Sequence, residues 1–473
     1  MIQSTCQDRE HRPEDSIFTR RQFLNRLGMG FGGLSLTSLV GMGLLSPPDA
    51  RADKFSPFAP KAPHFPAKAK RVIHIFAAGA PSHIDTWDPK PGMARYNEQP
   101  MPEDKNGTVF ASPFKFNRMG QCGTPVSEVF PLVGQHVDDL AVIRSMYTDI
   151  PDHAAASLMM NTGSIRLPKP SVGSWVTYGL GSENQNLPAF IALSPGGVSA
   201  QDLRSAFLPG AYQGTSVNTQ NTTIEKLIEN IKNKYTSLPE QRQQLDLLHQ
   251  LNEVHSQNLR KDAQLEARLQ AYELAYQMQM EATDAFDISK ETQETRALYG
   301  DNTQAGRQML IARRLLEKGV RFVQVWHGGW DHHSNLRDAM TRTAADIDKP
   351  LAALLTDLKR KDMLKDTLVI WGGEFGRSPT ADGNMAGGNP GRTHNNKAFS
   401  MWLAGGGIKG GITHGATDEF GGKAIEDKVH IHDLHATILR VLGFDHEKLT
   451  YRYNGRDFRL TDVYGNVVKG ILA

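Results

Sequence analysis

Six short apolar runs recur along the chain and constrain its fold more than any other feature. Each run is five to seven residues long: Arg71–Ala77, Leu140–Met146, Ala189–Leu193, Arg321–Trp326, Thr367–Trp371 and Phe399–Leu403. Nearly continuous apolar character is typical of strands that are buried on both faces, in a parallel sheet covered by helices. Amphipathic helical patterns lie between the runs, at Gln304–Lys318, Ala344–Arg360 and Asp433–Leu442. This alternation predicts an α/β fold, a doubly wound, mostly parallel sheet with helices on both faces.

Residues 222–300 interrupt the alternation, because they are polar and contain no strand-like run. Apolar side chains recur there at helical spacing, at Ile224, Leu227, Ile228 and Ile231, and again at Leu265, Leu269, Tyr272 and Tyr276. We predict a helical insertion that packs one apolar stripe on the α/β domain. A partner-binding coiled coil is the alternative, although the apolar heptads are not sustained.

The N-terminus has the layout of a twin-arginine export signal. Arg20 and Arg21 precede the apolar stretch Leu27–Leu45, and Ala50-Arg-Ala52 follows as an A-x-A cleavage site. Six glycines dilute that stretch, whereas a stable membrane span needs about 20 strongly apolar residues. We predict a cleaved signal peptide at 1–52, read by the twin-arginine translocase, and a linker at 53–70. The α/β domain would then occupy 71–473, in the periplasm or outside the cell.

The net charge restricts the kinds of partner. The formal charge of the whole chain is +2 over 473 residues. A nucleic-acid-binding or membrane-surface protein usually carries a strong basic footprint, which this composition lacks. We therefore expect neither nucleic acid nor a membrane surface as the partner.

Histidines and carboxylates follow the predicted strands at the points where ligands bind in open α/β sheets, beyond the strands' carboxyl ends. The residues in these positions are His83, Asp85, Thr148, His153, Asp331, His333, Glu374 and Arg377, with His394, His414 and His430 in later loops. Imidazoles and carboxylates together suit Zn²⁺, Mn²⁺ or a similar ion. Arg377 and Arg392 have the fork geometry that clamps a sulfate or phosphate group. A polar loop network without metal is the alternative.

Several segments make the chain recognisable. They are Ala80-Pro-Ser-His-Ile-Asp-Thr-Trp-Asp-Pro-Lys-Pro, Gly-Gly-Trp-Asp-His-His, Gly-Gly-Glu-Phe-Gly-Arg-Ser-Pro, Ala-Gly-Gly-Gly-Ile-Lys-Gly-Gly, His-Gly-Ala-Thr-Asp-Glu and His430-Ile-His-Asp-Leu-His. In this order, and together with Thr-Arg-Arg-Gln-Phe-Leu in the signal, they resemble the domain-of-unknown-function 1501 family. The resemblance implies an exported, sulfatase-like protein of the alkaline phosphatase superfamily.

The resemblance to sulfatases extends to single residues. Thr367–Gly376 is similar to the sulfatase strand that runs into Thr-Ser-Asp-His-Gly, which places Glu374 on a metal-binding Asp and Phe375 on a His. His153 falls on the nucleophile position, counted back from Thr162-Gly163. His153 is not a Cys, Ser or Thr, so we do not expect the usual covalent sulfated or phosphorylated intermediate. The first strand ends in Ala77-Ala-Gly79, where the superfamily has a metal-binding Asp, and His83 and Asp85 would substitute for it a few residues later.

These observations predict a metal-dependent hydrolase of sulfate or phosphate esters, acting on a small-molecule or polysaccharide ester. The expected ligands of a Zn, Mn or Ca ion are Asp331, His333, Glu374 and His414, then His83, Asp85 and His153. Arg377 would stabilise negative charge on the transferred group. The nucleophile would be water activated by the ion, Thr148 or His153. The alternative is a catalytically silent member of the fold that binds a carbohydrate or cell-envelope partner through residues 222–300.

Overall fold

The structure is a computed structural model that describes residues 58–473 except 103–106, 167, 197–198, 200, 228–234, 259–262, 384 and 386–387. The predicted signal peptide, with Arg20 and Arg21, and linker residues 53–57 therefore lie outside the described residues. Nearly all described residues belong to one compact unit, 57–232 together with 238–473. Among the helices of this described part, none has the length and apolar character needed to cross a membrane.

The elements alternate as the sequence predicts. The strands are β1 Arg71–Ala77, β2 Phe116–Met119, β3 Thr124–Ser127, β4 Leu140–Tyr147, β5 Phe190–Ser194, β6 Thr215–Asn218, β7 Phe322–His327, β8 Thr367–Gly372, β9 Gly376–Asp382, β10 Gly391–Asn395, β11 Phe399–Ala404, β12 Ile412–His414, β13 Ala416–Thr417, β14 Ala424–Glu426, β15 Val429–His430, β16 Tyr451–Tyr453 and β17 Arg456–Phe458. The α-helices are α1 His153–Thr162, α2 Val172–Leu180, α3 Ile224–Leu227, α4 Leu238–Asn258, α5 Ala263–Phe286, α6 Gln293–Tyr299, α7 Gln304–Glu317, α8 Leu336–Arg360 and α9 Ile431–Val441.

A nine-stranded sheet forms the centre of the described chain. Its strand order is β12-β4-β11-β8-β1-β7-β5-β6, and β15 pairs with β4. Strand β11 runs antiparallel to β4 and β8, whereas the other pairs in this sheet are parallel. The six apolar runs form β1, β4, β5, β7, β8 and β11, so the predicted α/β class and mostly parallel sheet are confirmed.

Both faces of the sheet are buried, which explains the continuous apolar character of its strands. In β1, Ile73 and Ile75 belong to a core that includes residues of α7 and α8. Val72 and Phe76, which point to the opposite face, belong to a second core with residues of α2 and α9. A side-chain period of two sends neighbouring residues to opposite faces, so a strand covered on both sides needs apolar residues throughout.

The sheet places the carboxyl ends of four strands along the same edge. Strands β1, β7 and β8 are parallel to one another, and β4 shares their direction because both β4 and β8 oppose β11. Their carboxyl ends therefore lie at one edge, and the segments after them carry the predicted site residues. The chain leaving β8 folds into the β9–β10 hairpin at this edge, where His394 pairs with Arg377.

Helices also occupy the segment 222–300. Ala282, Ala285 and Phe286, at the end of α5, are buried in the same core as α7 and α8. Leu245 and Leu269 are buried as well, whereas Leu251 and Tyr272 are 46% and 50% exposed. One end of the helical segment is thus fixed to the α/β core, and partner binding by its exposed residues stays a hypothesis.

Candidate metal centre

Four side chains from separate segments meet at the carboxyl edge of the sheet. His153 is the first residue of α1 and follows β4, Asp331 and His333 follow β7, and His394 lies in β10. Each offers one ligand atom, and these four atoms all lie within 4.8 Å of one another. In the described part of the chain this is the one group of three or more His, Cys, Asp or Glu side chains gathered so closely.

The three histidines are held in the same way, each through its Nδ1 atom. His153 Nδ1 lies 2.6 Å from Glu374 Oε1, and His333 Nδ1 lies 2.5 Å from Asp382 Oδ2. His394 Nδ1 lies 2.8 Å from the carbonyl oxygen of Pro151. Because these oxygens accept a hydrogen bond, Nδ1 carries the proton and the neutral ring presents the lone pair of Nε2. Metal-binding histidines are typically held by this arrangement.

The three Nε2 atoms converge on one carboxylate oxygen. Asp331 Oδ1 lies 3.2 Å from His153 Nε2, 2.9 Å from His333 Nε2 and 3.6 Å from His394 Nε2. The Nε2 atoms of His333 and His394 are 3.0 Å apart. Four donors bound tetrahedrally to a zinc-type ion, at about 2.0–2.2 Å, lie roughly 3.3–3.6 Å from one another. The four measured spacings of 2.9–3.6 Å are close to this range, and the remaining ones, which are at most 4.8 Å, would contract by about 1 Å around a single divalent cation.

The pKa values of the clustered side chains shift in different directions. Burial alone would raise the pKa of Asp331, but the hydrogen bond and charge of Arg377 hold it well below its usual range. Burial lowers the pKa of His394, which favours its neutral, ligand form. The hydrogen bond to Glu374 raises the pKa of His153. His153, which lies between the carboxylates of Glu374 and Asp331, thus favours its protonated form when no metal is bound, whereas His394 favours its neutral form.

The buried Arg377 side chain holds Asp331 in place through hydrogen bonds. Its side chain is 1% exposed, and Nη2 donates to Asp331 Oδ1 and to the carbonyl oxygen of Gly79. Nε donates to the Ala80 carbonyl at 3.0 Å, and Nη1 donates to the Arg392 carbonyl at 3.1 Å. Nη1 also lies 3.3 Å from His333 Nε2. In this structure the guanidinium is therefore committed to protein groups and positions two of the clustered side chains. The predicted role of Arg377 on the transferred group stays a prediction.

Glu374 orients His153 through Nδ1, on the side of the ring opposite the clustered Nε2 atom. Its side chain is 2% exposed, and Oε1 also accepts a hydrogen bond from the Gly79 amide at 3.0 Å. This carboxylate joins the ends of β1 and β8 to the start of α1. The buried Oε2 atom has no hydrogen-bond partner among the described residues.

Four further predicted site residues lie outside the cluster. Buried Asp85 pairs with Arg392 Nε at 2.6 Å, and His83 Nε2 contacts the Gly421 carbonyl at 2.8 Å. His414 pairs with Ile143 in the middle of β4, four residues before that strand ends, and its ring lies against Gly470. Thr148 is buried, and its backbone groups bond to Asn396. The structure does not bring these side chains to the four-atom group, and their proposed roles stay predictions.

Two residues of the centre were absent from the predicted ligand set, His394 and Asp382. Both lie in the β9–β10 hairpin, whereas the predicted ligands were taken from the segments that follow the central strands. The hairpin pairs His394 with Arg377, already a candidate, and Gly391 with Asp382. Recognising that Gly376–Asp382 and Gly391–Asn395 form two strands of one hairpin would have indicated His394.

Fold and cluster together define an α/β protein with a candidate metal centre at the carboxyl edge of its sheet. The chain belongs to the DUF1501 family of proteins of unknown function, whose sequence profile matches residues 69–472. A search of curated proteins finds no match.

The solved structures that are similar to this chain include the following three. The PsFucS1 sulfatase from Pseudoalteromonas sp. is 13% identical, with 86% of this chain and 72% of that chain covered and a TM-score of 0.37. The C-terminal periplasmic domain of EcEptC from Escherichia coli, in complex with Zn, is 8% identical, with 82% and 88% covered and a TM-score of 0.36. The alkaline phosphatase of the Antarctic bacterium TAB5 is 12% identical, with 81% and 100% covered and a TM-score of 0.33.

Proposed function

We propose that the protein is an exported, metal-dependent hydrolase of sulfate or phosphate esters. One observation carries the proposal: three histidines, each held through Nδ1, direct Nε2 at one oxygen of Asp331. Three imidazoles and one carboxylate favour Zn²⁺ over Mn²⁺, and they disfavour Ca²⁺, which takes oxygen ligands.

A bound Zn²⁺ would supply Lewis acidity toward an ester oxygen and toward water. Because four protein donors fill a tetrahedral site, this chemistry requires that the ion take a fifth ligand or that one of the four side chains leave it. The chain's contribution is to fix the donors: Glu374, Asp382 and the Pro151 carbonyl hold the rings, and Arg377 holds Asp331. None of the four clustered side chains carries a hydroxyl or thiol. We therefore infer that water attacks sulfur or phosphorus and loses a proton, while the bond to the ester oxygen breaks and the departing alcohol gains one.

This route predicts inversion at the reacting atom, because it has a single in-line displacement. A phosphate monoester made chiral with oxygen isotopes and sulfur tests it, with the configuration of the product read by ³¹P NMR. Net retention would indicate two displacements and a covalent intermediate, and would transfer attention to Thr148 or His153. A zinc-loaded protein without turnover on aryl sulfates and aryl phosphates would contradict the hydrolase proposal.

Export is tested separately, through the signal. Changing both Arg20 and Arg21 to lysine should leave the uncleaved precursor in the cytoplasm, because the twin-arginine route reads the guanidinium pair. The double change Arg9→Lys and Arg12→Lys, in the same segment but outside the pair, is the matched control. Immunoblots of cytoplasmic and periplasmic fractions report the outcome. Normal export of the Arg20→Lys, Arg21→Lys chain would refute this part of the proposal.

A catalytically silent binding protein is the second candidate. The half-exposed Leu251 and Tyr272 on the α4 and α5 helices favour it, because a purely intramolecular role does not require them at the surface. Apolar residues at single surface positions are nevertheless common. The ester assay above separates the two candidates.

A further inference from the structure

A second concave site lies beyond the end of β4, outside the metal centre. It is a cavity of about 340 Å³, and its lining includes Tyr147, His432, Asp433, Glu447, Tyr464 and Asn466. This volume is within the range of small-molecule sites. Its lining is rich in groups that form hydrogen bonds.

The charges of the lining argue against an anionic ligand. Among the described residues, no arginine or lysine lines the cavity, so it lacks the cations that hold a sulfate or phosphate group. Both carboxylates of the lining already have hydrogen-bond or ion-pair partners. Asp433 accepts from the backbone amides of His430 at 2.9 Å and Asn466 at 2.6 Å, and Glu447 lies 3.3 Å from Arg459. Because the oxygens of Asp433 already accept from backbone amides and Glu447 has a cationic partner, the lining fits a neutral polar ligand better than an anion.

Tyr464 provides an aromatic platform at this cavity. One face of its ring stacks on His432, with ring centroids 5.1 Å apart and an interplanar angle of 7°. The residue is 62% exposed, so the opposite face of the ring is open. His432 is itself fixed: it is 4% exposed, and its Nε2 atom lies 3.0 Å from the Gly163 carbonyl oxygen. The platform therefore has a rigid support.

A flat apolar ring beside carboxylate and amide groups matches one chemical class, the sugars. A pyranose ring presents C–H groups on one face and hydroxyls around its rim. The C–H face packs on an aromatic ring, and carboxylate and amide oxygens accept from the hydroxyls.

Helix α1 connects the cavity with the metal centre. His153, in the four-atom group, begins this ten-residue helix, and the carbonyl of Gly163 just after it contacts His432. A ten-residue α-helix is about 15 Å long. The cavity shares no residue with the four-atom group, so a sugar bound there would be a different residue of the saccharide from the one that carries the reacting ester.

We propose that this cavity is a binding subsite for a neutral sugar residue of a carbohydrate substrate, with Tyr464 as the stacking platform. The link to a substrate rests on the proposed hydrolase function, whereas sugar binding itself does not.

Saturation-transfer NMR and calorimetry test the subsite, with cellotriose, xylotriose, maltotriose and agarotriose as probes. At least one should bind, and Tyr464→Ala should weaken it about 2- to 13-fold, since aromatic stacking contributes about 0.5–1.5 kcal/mol. Tyr464→Trp, which keeps a platform, should retain binding. Tyr453→Ala is the matched control, because Tyr453 is 43% exposed and does not line the cavity.

The same assay with Asp331→Asn and EDTA keeps the two proposals distinguishable. Sugar binding should persist there, because the cavity shares no residue with the four-atom group. Binding without ester hydrolysis in the wild-type protein would refute the hydrolase and leave the subsite standing. Absence of saturation transfer to all four trisaccharides would overturn the subsite, as would preferential binding of tetramethylammonium or inorganic phosphate at the cavity.

Discussion

Changing Asp331 to asparagine should lower zinc affinity by more than the roughly 10–100-fold that loss of a ligand-supporting group costs. Asp331 Oδ1 is the atom on which all three Nε2 atoms converge, and the change removes its negative charge at nearly constant volume. Ester hydrolysis should fall with zinc occupancy. Competition with a fluorescent chelator measures the affinity, and thermal unfolding with EDTA present shows whether the fold survives.

Asp346→Asn is the matched control for that change. Asp346 also pairs with a histidine, since its Oδ2 atom lies 3.1 Å from His327 Nε2, and its side chain is 49% exposed against 48% for Asp331. It lies outside the four-atom group, so zinc affinity should stay as in the wild type. Equal zinc affinity in Asp331→Asn and the wild type would exclude Asp331 as a ligand.

Glu374→Gln should weaken zinc binding about 10–100-fold, because the carboxylate that fixes a metal-binding histidine raises its basicity and sets its tautomer. Glutamine keeps an acceptor for the Gly79 amide, but its NH₂ group can turn toward His153 Nδ1 and leave the proton on Nε2. Zinc affinity and hydrolysis should therefore fall together with little loss of stability. Glu374→Asp keeps the charge and tests whether the distance to His153 matters as well.

Asp348→Asn controls for the loss of a buried carboxylate. Asp348 is 4% exposed and accepts from the backbone amides of Leu132 and Val133, both at 2.9 Å. Its replacement should reduce stability and leave zinc affinity unchanged. If hydrolysis survived Glu374→Gln at the wild-type rate, Glu374 would have a structural role only.

The sheet was predictable because its strands are buried on both faces. A strand such as β8, with all six residues buried, needs continuous apolar character, and that character is visible in the sequence. The start of α8 was less visible. The helix begins at Leu336 behind Asn335 in a left-handed conformation, eight residues before the predicted start at Ala344. Its first two turns are largely polar, so the apolar period emerges only further along.

The candidate site was predictable only where it follows the central strands. Asp331 and Glu374 come directly after β7 and β8, so the rule that ligands bind beyond strand ends reaches them. The same rule selected Asp85, whose partner Arg392 lies 307 residues further along the chain. A pairing over that separation leaves no local pattern in one sequence. His394 lies in the β9–β10 hairpin and not directly after a central strand, so the strand-end rule did not predict it as a ligand.

The metal content of the purified protein is the most direct test of whether the four clustered side chains bind a metal ion. Full-length protein and its exported form, purified without chelators and without a metal-affinity tag, would be analysed by inductively coupled plasma mass spectrometry. We expect about one zinc per chain in the exported wild-type protein and in Asp346→Asn, and a large loss in Asp331→Asn. Less than about a tenth of an equivalent of any divalent metal in the wild-type protein, unchanged after incubation with Zn²⁺, would contradict this expectation.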